Sequence, residues 1–188
     1  TPAFLQTIKT AMVLQLKEEM GVRNILNREL EIHKIVWGNF LQLKNVHILA
    51  SNFSERLGIY SFYIDGLHFN LAVQLLNDRF GIQVRGGCSC AGTYGHILLN
   101  VEKNESCTIT TKIDDGDLTS KPGWIRMSTH PTMTNEEVNF IMNAIEELSY
   151  KHKEWSVDYK YNKKTNEFCY KKNIFALKNK ERAKNWFN

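Results

Sequence analysis

Proline is scarce. Three prolines occur in 188 residues, at positions 2, 122 and 131, so none interrupts residues 3–121. Helices and strands there can run as far as their own patterning carries them. Cysteine is nearly as sparse. Cys88, Cys90, Cys107 and Cys169 are too few to staple a chain of this length, which excludes a disulfide scaffold. A reducing cytoplasm with free thiols is the expected setting. No apolar run approaches the ~20 residues of a membrane-spanning helix, so no membrane partner is expected. The opening Thr1-Pro2-Ala3-Phe4 has no initiator Met, no basic region and no signal-type apolar stretch. It reads as a chain that begins inside a longer protein. No second Cys or His pair accompanies Cys88-Ser89-Cys90 at metal-ligand spacing, and a zinc site needs about four ligands. No metal is expected.

What is present is ordinary globular composition, 43% hydrophobic and 23% charged, enough for one core with an appendage. The net charge of +4 is uneven. Residues 151–188 hold eleven Lys and Arg against four Asp and Glu, while residues 1–150 hold thirteen against sixteen. This composition shift divides the chain into a body, residues 1–150, and a basic, aromatic-rich extension, residues 151–188. Basic residues with aromatics can signal single-stranded nucleic acid. The extension has no glycine-rich or RNA-type motif, so nucleic acid is not the expected partner. It reads instead as a hairpin over residues 156–170, turning at Lys163-Lys164-Thr165-Asn166, then a last helix, both packed on the body.

Phe4, Ile8, Met12, Leu16 and Met20 recur every four residues, predicting a helix that stops at Gly21. A second helix is expected over residues 22–43, with Ile25, Leu26, Ile32, Ile35, Val36 and Phe40 on its apolar face. Residues 46–49 and 58–64 read as strands, the second ended by Asp65-Gly66. Residues 68–80 are helical in pattern, with Leu71, Ala72, Leu75, Leu76 and Phe80 facing inward. Residues 82–85 read as a short strand, residues 106–110 as an edge strand, and residues 124–128 as a strand opened by Pro122-Gly123. Thr134 and Glu137 form a capping box ahead of Val138, Ile141, Met142, Ile145 and Leu148. The expected class is α+β, a small, mainly antiparallel sheet covered by helices.

The stretch from Arg85 to Gly92 sets two cysteines on a glycine-rich loop, where a ligand can approach the backbone closely. A loop cysteine can act as a nucleophile when its thiolate is favoured. Val84-Arg85-Gly86-Gly87-Cys88-Ser89-Cys90-Ala91, then Gly123-Trp124-Ile125-Arg126, then His130-Pro131-Thr132-Met133-Thr134 and a capped helix resemble the C-terminal small domain of class V aminotransferases. Within that group the pattern is most similar to the cysteine desulfurase and selenocysteine lyase branch. The resemblance spans residues 1–150 in order.

The resemblance implies a pyridoxal-phosphate enzyme acting on an amino acid, cysteine or selenocysteine among the candidates, and forming a homodimer when whole. The family's Schiff-base lysine belongs to an upstream large domain. No lysine here lies in a setting like that motif, so no covalent attachment of the cofactor to this chain is expected. The pattern Arg-x-Gly-x-x-Cys-Ala falls on Arg85, Gly87, Cys90 and Ala91. It implies that Cys90 is the catalytic nucleophile and Arg85 a substrate-binding residue whose positive charge favours the thiolate. Arg126 matches the arginine that clamps the substrate α-carboxylate, a role for which a guanidinium fork suits. Cys88 is left as a neighbour of Cys90 without a role. His96 and His130 read as structural hydrogen-bonding groups, and Cys107 and Cys169 as structural residues. The loop departs from the desulfurase pattern, because Cys88 and Ser89 stand where histidines are usual, and residues 102–121 look like an insertion. The alternatives are another class V aminotransferase or lyase, or a stand-alone binding module that uses the basic extension.

Overall fold

The computed structural model describes residues 3–88 and 92–171. The first helix, α1 (Phe4–Met20), ends at Gly21, whose φ of 78° stops it as expected. Its apolar stripe forms, but Phe4, Ile8, Met12 and Leu16 are each more than half exposed. The second helix, α2 (Val22–Phe40), runs through Gly38 and buries Ile32, Val36 and Phe40.

A four-stranded sheet follows, built from β1 (Val46–Ile48), β2 (Ile59–Ile64), β3 (Arg85–Gly87) and β4 (Trp124–Ser128). Its order is β1-β2-β4-β3, and every neighbouring pair is antiparallel. Side chains alternate across a strand. Tyr60, Phe62 and Ile64 of β2 and Ile125 and Met127 of β4 therefore enter one core. That core is covered by α2, by α3 (Phe69–Phe80) with Leu71, Ala72, Leu75 and Leu76, and by α6 (Asn135–Ser156) with Val138, Met142, Ile145 and Leu148. The α+β class read from the sequence is the class observed.

The capping box forms as predicted. Thr134 Oγ1 accepts from the Glu137 N–H at 3.1 Å, and Glu137 Oε2 accepts from the Thr134 N–H at 2.7 Å. From it α6 continues through Tyr150 to Ser156, so the change in charge balance falls inside a helix. Beyond it, β5 (Tyr159–Asn162) and β6 (Glu167–Tyr170) pair as an antiparallel hairpin. Tyr159 is buried and donates to Asp78 at 2.8 Å, while Tyr161 and Phe168 pack around His68. The hairpin thus turns its aromatics toward α3. The last helix expected near the end of the chain, beyond residue 171, lies outside the described residues.

Three local expectations are corrected. The strand expected at residues 82–85 sits three residues later, at Arg85–Gly87. The chain needs the preceding residues to leave α3. Gly81 closes that helix with φ 68°, and the Ile82 N–H donates to the Leu76 carbonyl. The segment expected as an edge strand at residues 106–110 is instead part of α5 (Lys103–Asp114). Its β-branched residues suit a strand, but Ile109 and Ile113 are four apart and turn to one side of the helix. Thr108, Thr110 and Thr111 hydroxyls return bonds to carbonyls four residues back. The short α4 (Gly92–Leu98) carried no clear periodic signal in the sequence. Cys107 and Cys169, read as structural, are both exposed.

His68 caps α3, its Nδ1 accepting from the Asn70 N–H at 3.1 Å. Burial lowers its pKa, and the Asn166 side chain partly offsets that. Protonation would turn the capping acceptor into a donor. A histidine held below its unfolded value keeps full stability above about pH 6.5. It loses stability as the pH falls from there toward its folded pKa. Unfolding midpoints measured from pH 8 to pH 5 are expected to fall on the acid side, and less so in His68→Asn. Equal slopes in the two proteins would refute this role.

Candidate functional site

The candidate site is built by register. In antiparallel pairing, residues directly opposite project on the same face. Arg85 of β3 stands opposite Arg126 of β4, and Ser61 of β2 stands opposite Arg126 on its other side. Ile125 and Met127 point into the helix-covered core, so Arg126, Arg85 and Ser61 share the other face. Two sequence-predicted site residues, 41 positions apart, therefore become nearest cross-strand neighbours.

Like charges placed directly opposite are destabilising. Among the described residues, neither arginine has an acidic partner within salt-bridge distance. Arg126 is half-buried, and its Nε is buried without a hydrogen-bond partner among those residues. A buried unpaired donor on a cation costs free energy until an acceptor arrives. The arrangement thus favours an anion, and a planar fork favours a carboxylate.

Two glycines hold the strand that carries Arg85. A Cβ at Gly86 would lie 3.0 Å from Asn70 Oδ1, Phe69 Cδ2 and Val73 Cγ2, so the missing side chain lets β3 lie close against α3. Gly87 has φ 118°, where other residues are strained, and it ends β3 just before Cys88. Cys88, half-buried and free, begins that loop. Cys90, the expected nucleophile, lies outside the described residues.

The remaining groups are structural in their contacts. His96 Nδ1 meets Ser106 Oγ at 2.6 Å, and His130 Nδ1 meets Thr132 Oγ1 at 2.7 Å. Sequence reasoning missed the supporting role of α4, whose Gly95 packs against the Trp124 ring beside Arg126; a Cβ there would lie 3.2 Å from it. A cavity of about 450 Å³ opens at the β1 edge, with His47, Tyr63 and Trp37 in its lining. A second, of about 540 Å³, lies between α4 and α5. Neither lining includes Arg85 or Arg126; Arg85 is exposed and Arg126 half-buried. Among the described residues no cluster of three His, Cys, Asp or Glu is placed to hold a metal ion. No helix among them is long and apolar enough to cross a membrane.

The family model for aminotransferase class-V matches residues 1–141. A curated relative, a probable cysteine desulfurase from Synechocystis sp., is 28% identical over 92 residues, covering 48% of this chain and 22% of its own length. The solved apo structure of a cysteine desulfurase from Thermococcus onnurineus aligns with a TM-score of 0.48 and 26% identity, over 70% of this chain and 28% of that one. A C-DES variant with glycine covalently linked to its PLP cofactor aligns with a TM-score of 0.47 and 19% identity, over 71% of this chain and 26% of that one. The chain therefore spans between a fifth and a third of the length of these relatives.

Proposed function

Because the chain belongs to the class-V aminotransferase family, we propose that it supplies the substrate-carboxylate face and the reactive cysteine of a pyridoxal-phosphate enzyme of the cysteine desulfurase or selenocysteine lyase type. The observation that carries this reading is the Arg85–Arg126 pair with the orphaned Arg126 Nε. The pair fits the α-carboxylate of an amino acid. Arg126 would bind the carboxylate through its fork, and Arg85 would add positive charge at the mouth of the cysteine loop. Arg85 is exposed, so a second body placed over this face would exclude water and strengthen those bonds.

Pyridoxal phosphate would supply the electron sink. No lysine of this chain stands in a setting like the family's Schiff-base lysine, so in this reading the chain holds the amino acid rather than the cofactor. Cys90 carries the chemistry. Its thiolate attacks the sulfur of substrate cysteine, forming an S–S bond as the substrate Cβ–S bond breaks with its electron pair. Protonation of the carbon fragment leaves alanine, and Cys90 keeps the sulfur as a persulfide. With selenocysteine the Cys90 thiol donates a proton instead. Arg85, five residues before Cys90, favours the thiolate in the first case.

The test is the whole protein that carries this chain, assayed for alanine and sulfide from cysteine and for alanine from selenocysteine. Cys90→Ser is expected to lower turnover by about 10³-fold or more, as loss of a nucleophile does, while the cofactor absorbance stays. A parent enzyme that forms alanine from neither substrate refutes the desulfurase and lyase reading. Turnover of a different amino acid would place it elsewhere among class V aminotransferases and lyases.

A further inference from the structure

We infer that the cleft between α4 and α5 is a binding site for a small organic anion. The two helices α4 and α5 build it. Lys103, Ser106, Thr110 and Ile113 follow one another at helical spacing and line one wall from α5. Thr93, His96 and Ile97 line the facing wall from α4. The His96–Ser106 bond at 2.6 Å joins the two helices. Cys88, Lys121 and Pro122 also belong to the lining.

The volume, about 540 Å³, lies within the roughly 300–1,000 Å³ of small-molecule sites. Charge decides the class of ligand. Among the described residues, Lys103 and Lys121 line the cleft and no carboxylate does. Glu102 and Glu105, nearby in sequence, are exposed and outside the lining. Neither lysine has an ion-pair partner among the described residues. A cleft lined by one sign of charge concentrates ions of the other sign. Ile97, Val101, Ile113 and Pro122 supply apolar surface beside those charges. The occupant is therefore an anion with an apolar body.

Cys88 in the lining serves as a reporter. The full chain carrying Cys90→Ser would be alkylated with iodoacetate and, separately, with iodoacetamide, and each cysteine followed by peptide mass spectrometry. In either reaction the Cys88 thiolate displaces iodide, forming a C–S bond as the C–I bond breaks, and the thiol proton goes to solvent. Exposed Cys107 and Cys169 are internal references. The iodoacetate-to-iodoacetamide rate ratio at Cys88 is expected to exceed theirs by about tenfold, the lower end of electrostatic focusing. It should fall to the reference value when Lys103→Met and Lys121→Met are combined. That loss separates the cleft from Arg85, which stands three residues before Cys88 and remains in place. Butyrate should slow Cys88 alkylation, and butyramide should not. A ratio equal to that of the reference cysteines overturns the proposal. So does a ratio that survives the lysine replacements, or a Cys88 inert to both reagents. If the lysine variant misfolds, the butyrate comparison on the parent decides. Protection by both compounds, or by neither, overturns it.

Discussion

Replacing Arg126 with alanine in the whole protein is expected to lower kcat/KM for the amino-acid substrate by about 10²–10³-fold. A hydrogen bond to a charged group contributes roughly 1.5–3 kcal/mol, and a guanidinium fork makes two of them to a carboxylate. Arg126 is half-buried, so part of that energy is screened. A loss of about 3–4 kcal/mol remains, and each 1.36 kcal/mol is a tenfold change. Arg126→Lys should recover only part of the activity, because an ammonium is a point charge without the fork. Arg85→Ala should cost less, about tenfold, since Arg85 is exposed. Neither alanine variant should unfold more easily, because each relieves a like-charge pair across the sheet. A kcat/KM within twofold of the parent in Arg126→Ala would remove the carboxylate role.

The largest loss of stability is expected from Phe62→Ala. Phe62 is fully buried at the middle of β2, opposite Ile48 on one side and Ile125 on the other. Its ring meets that of Phe40 at 5.0 Å between centroids. It therefore ties the sheet to α2. Removing a buried phenylalanine side chain costs about 3–5 kcal/mol, including the cavity it leaves. Total stability for a domain is about 5–15 kcal/mol. The denaturant midpoint should drop steeply with little change in slope. An unchanged midpoint would mean that this core is not the one that holds the sheet and helices together.

Much of the local structure was readable from residue spacing. The Thr134–Glu137 box set the start of α6, Gly21 set the end of α1, and the Lys163-Lys164-Thr165-Asn166 turn set the hairpin. Each depends on residues within one or two turns of each other, so nearby sequence is enough. The run Ser106-Cys107-Thr108-Ile109-Thr110 was not readable in this way. Threonine and isoleucine favour strands, but an intrinsic preference of a few tenths of a kcal/mol per residue yields to packing. Here Ile109 is buried on the inner side of α5. The strand at Arg85–Gly87 was displaced for a similar reason. Its pairing with Trp124-Ile125-Arg126 and its fit against Phe69 outweigh the apolar look of Ile82 and Val84.

The sequence alone determined the class of the domain and the starts of α1, α2 and α6, because those rest on periodicity and capping, and its resemblance to a family singled out Arg85, Cys90 and Arg126 as candidates. Only the tertiary structure decided that Arg85 and Arg126 are neighbours. Strand register brings distant residues together, and no local pattern of either strand specifies its partner. It also decided that residues 103–114 form a helix with Lys103 on the face turned toward α4. That face exists only because Lys103, Ser106, Thr110 and Ile113 turn to one side of a helix, and as a strand the same residues would not share one side.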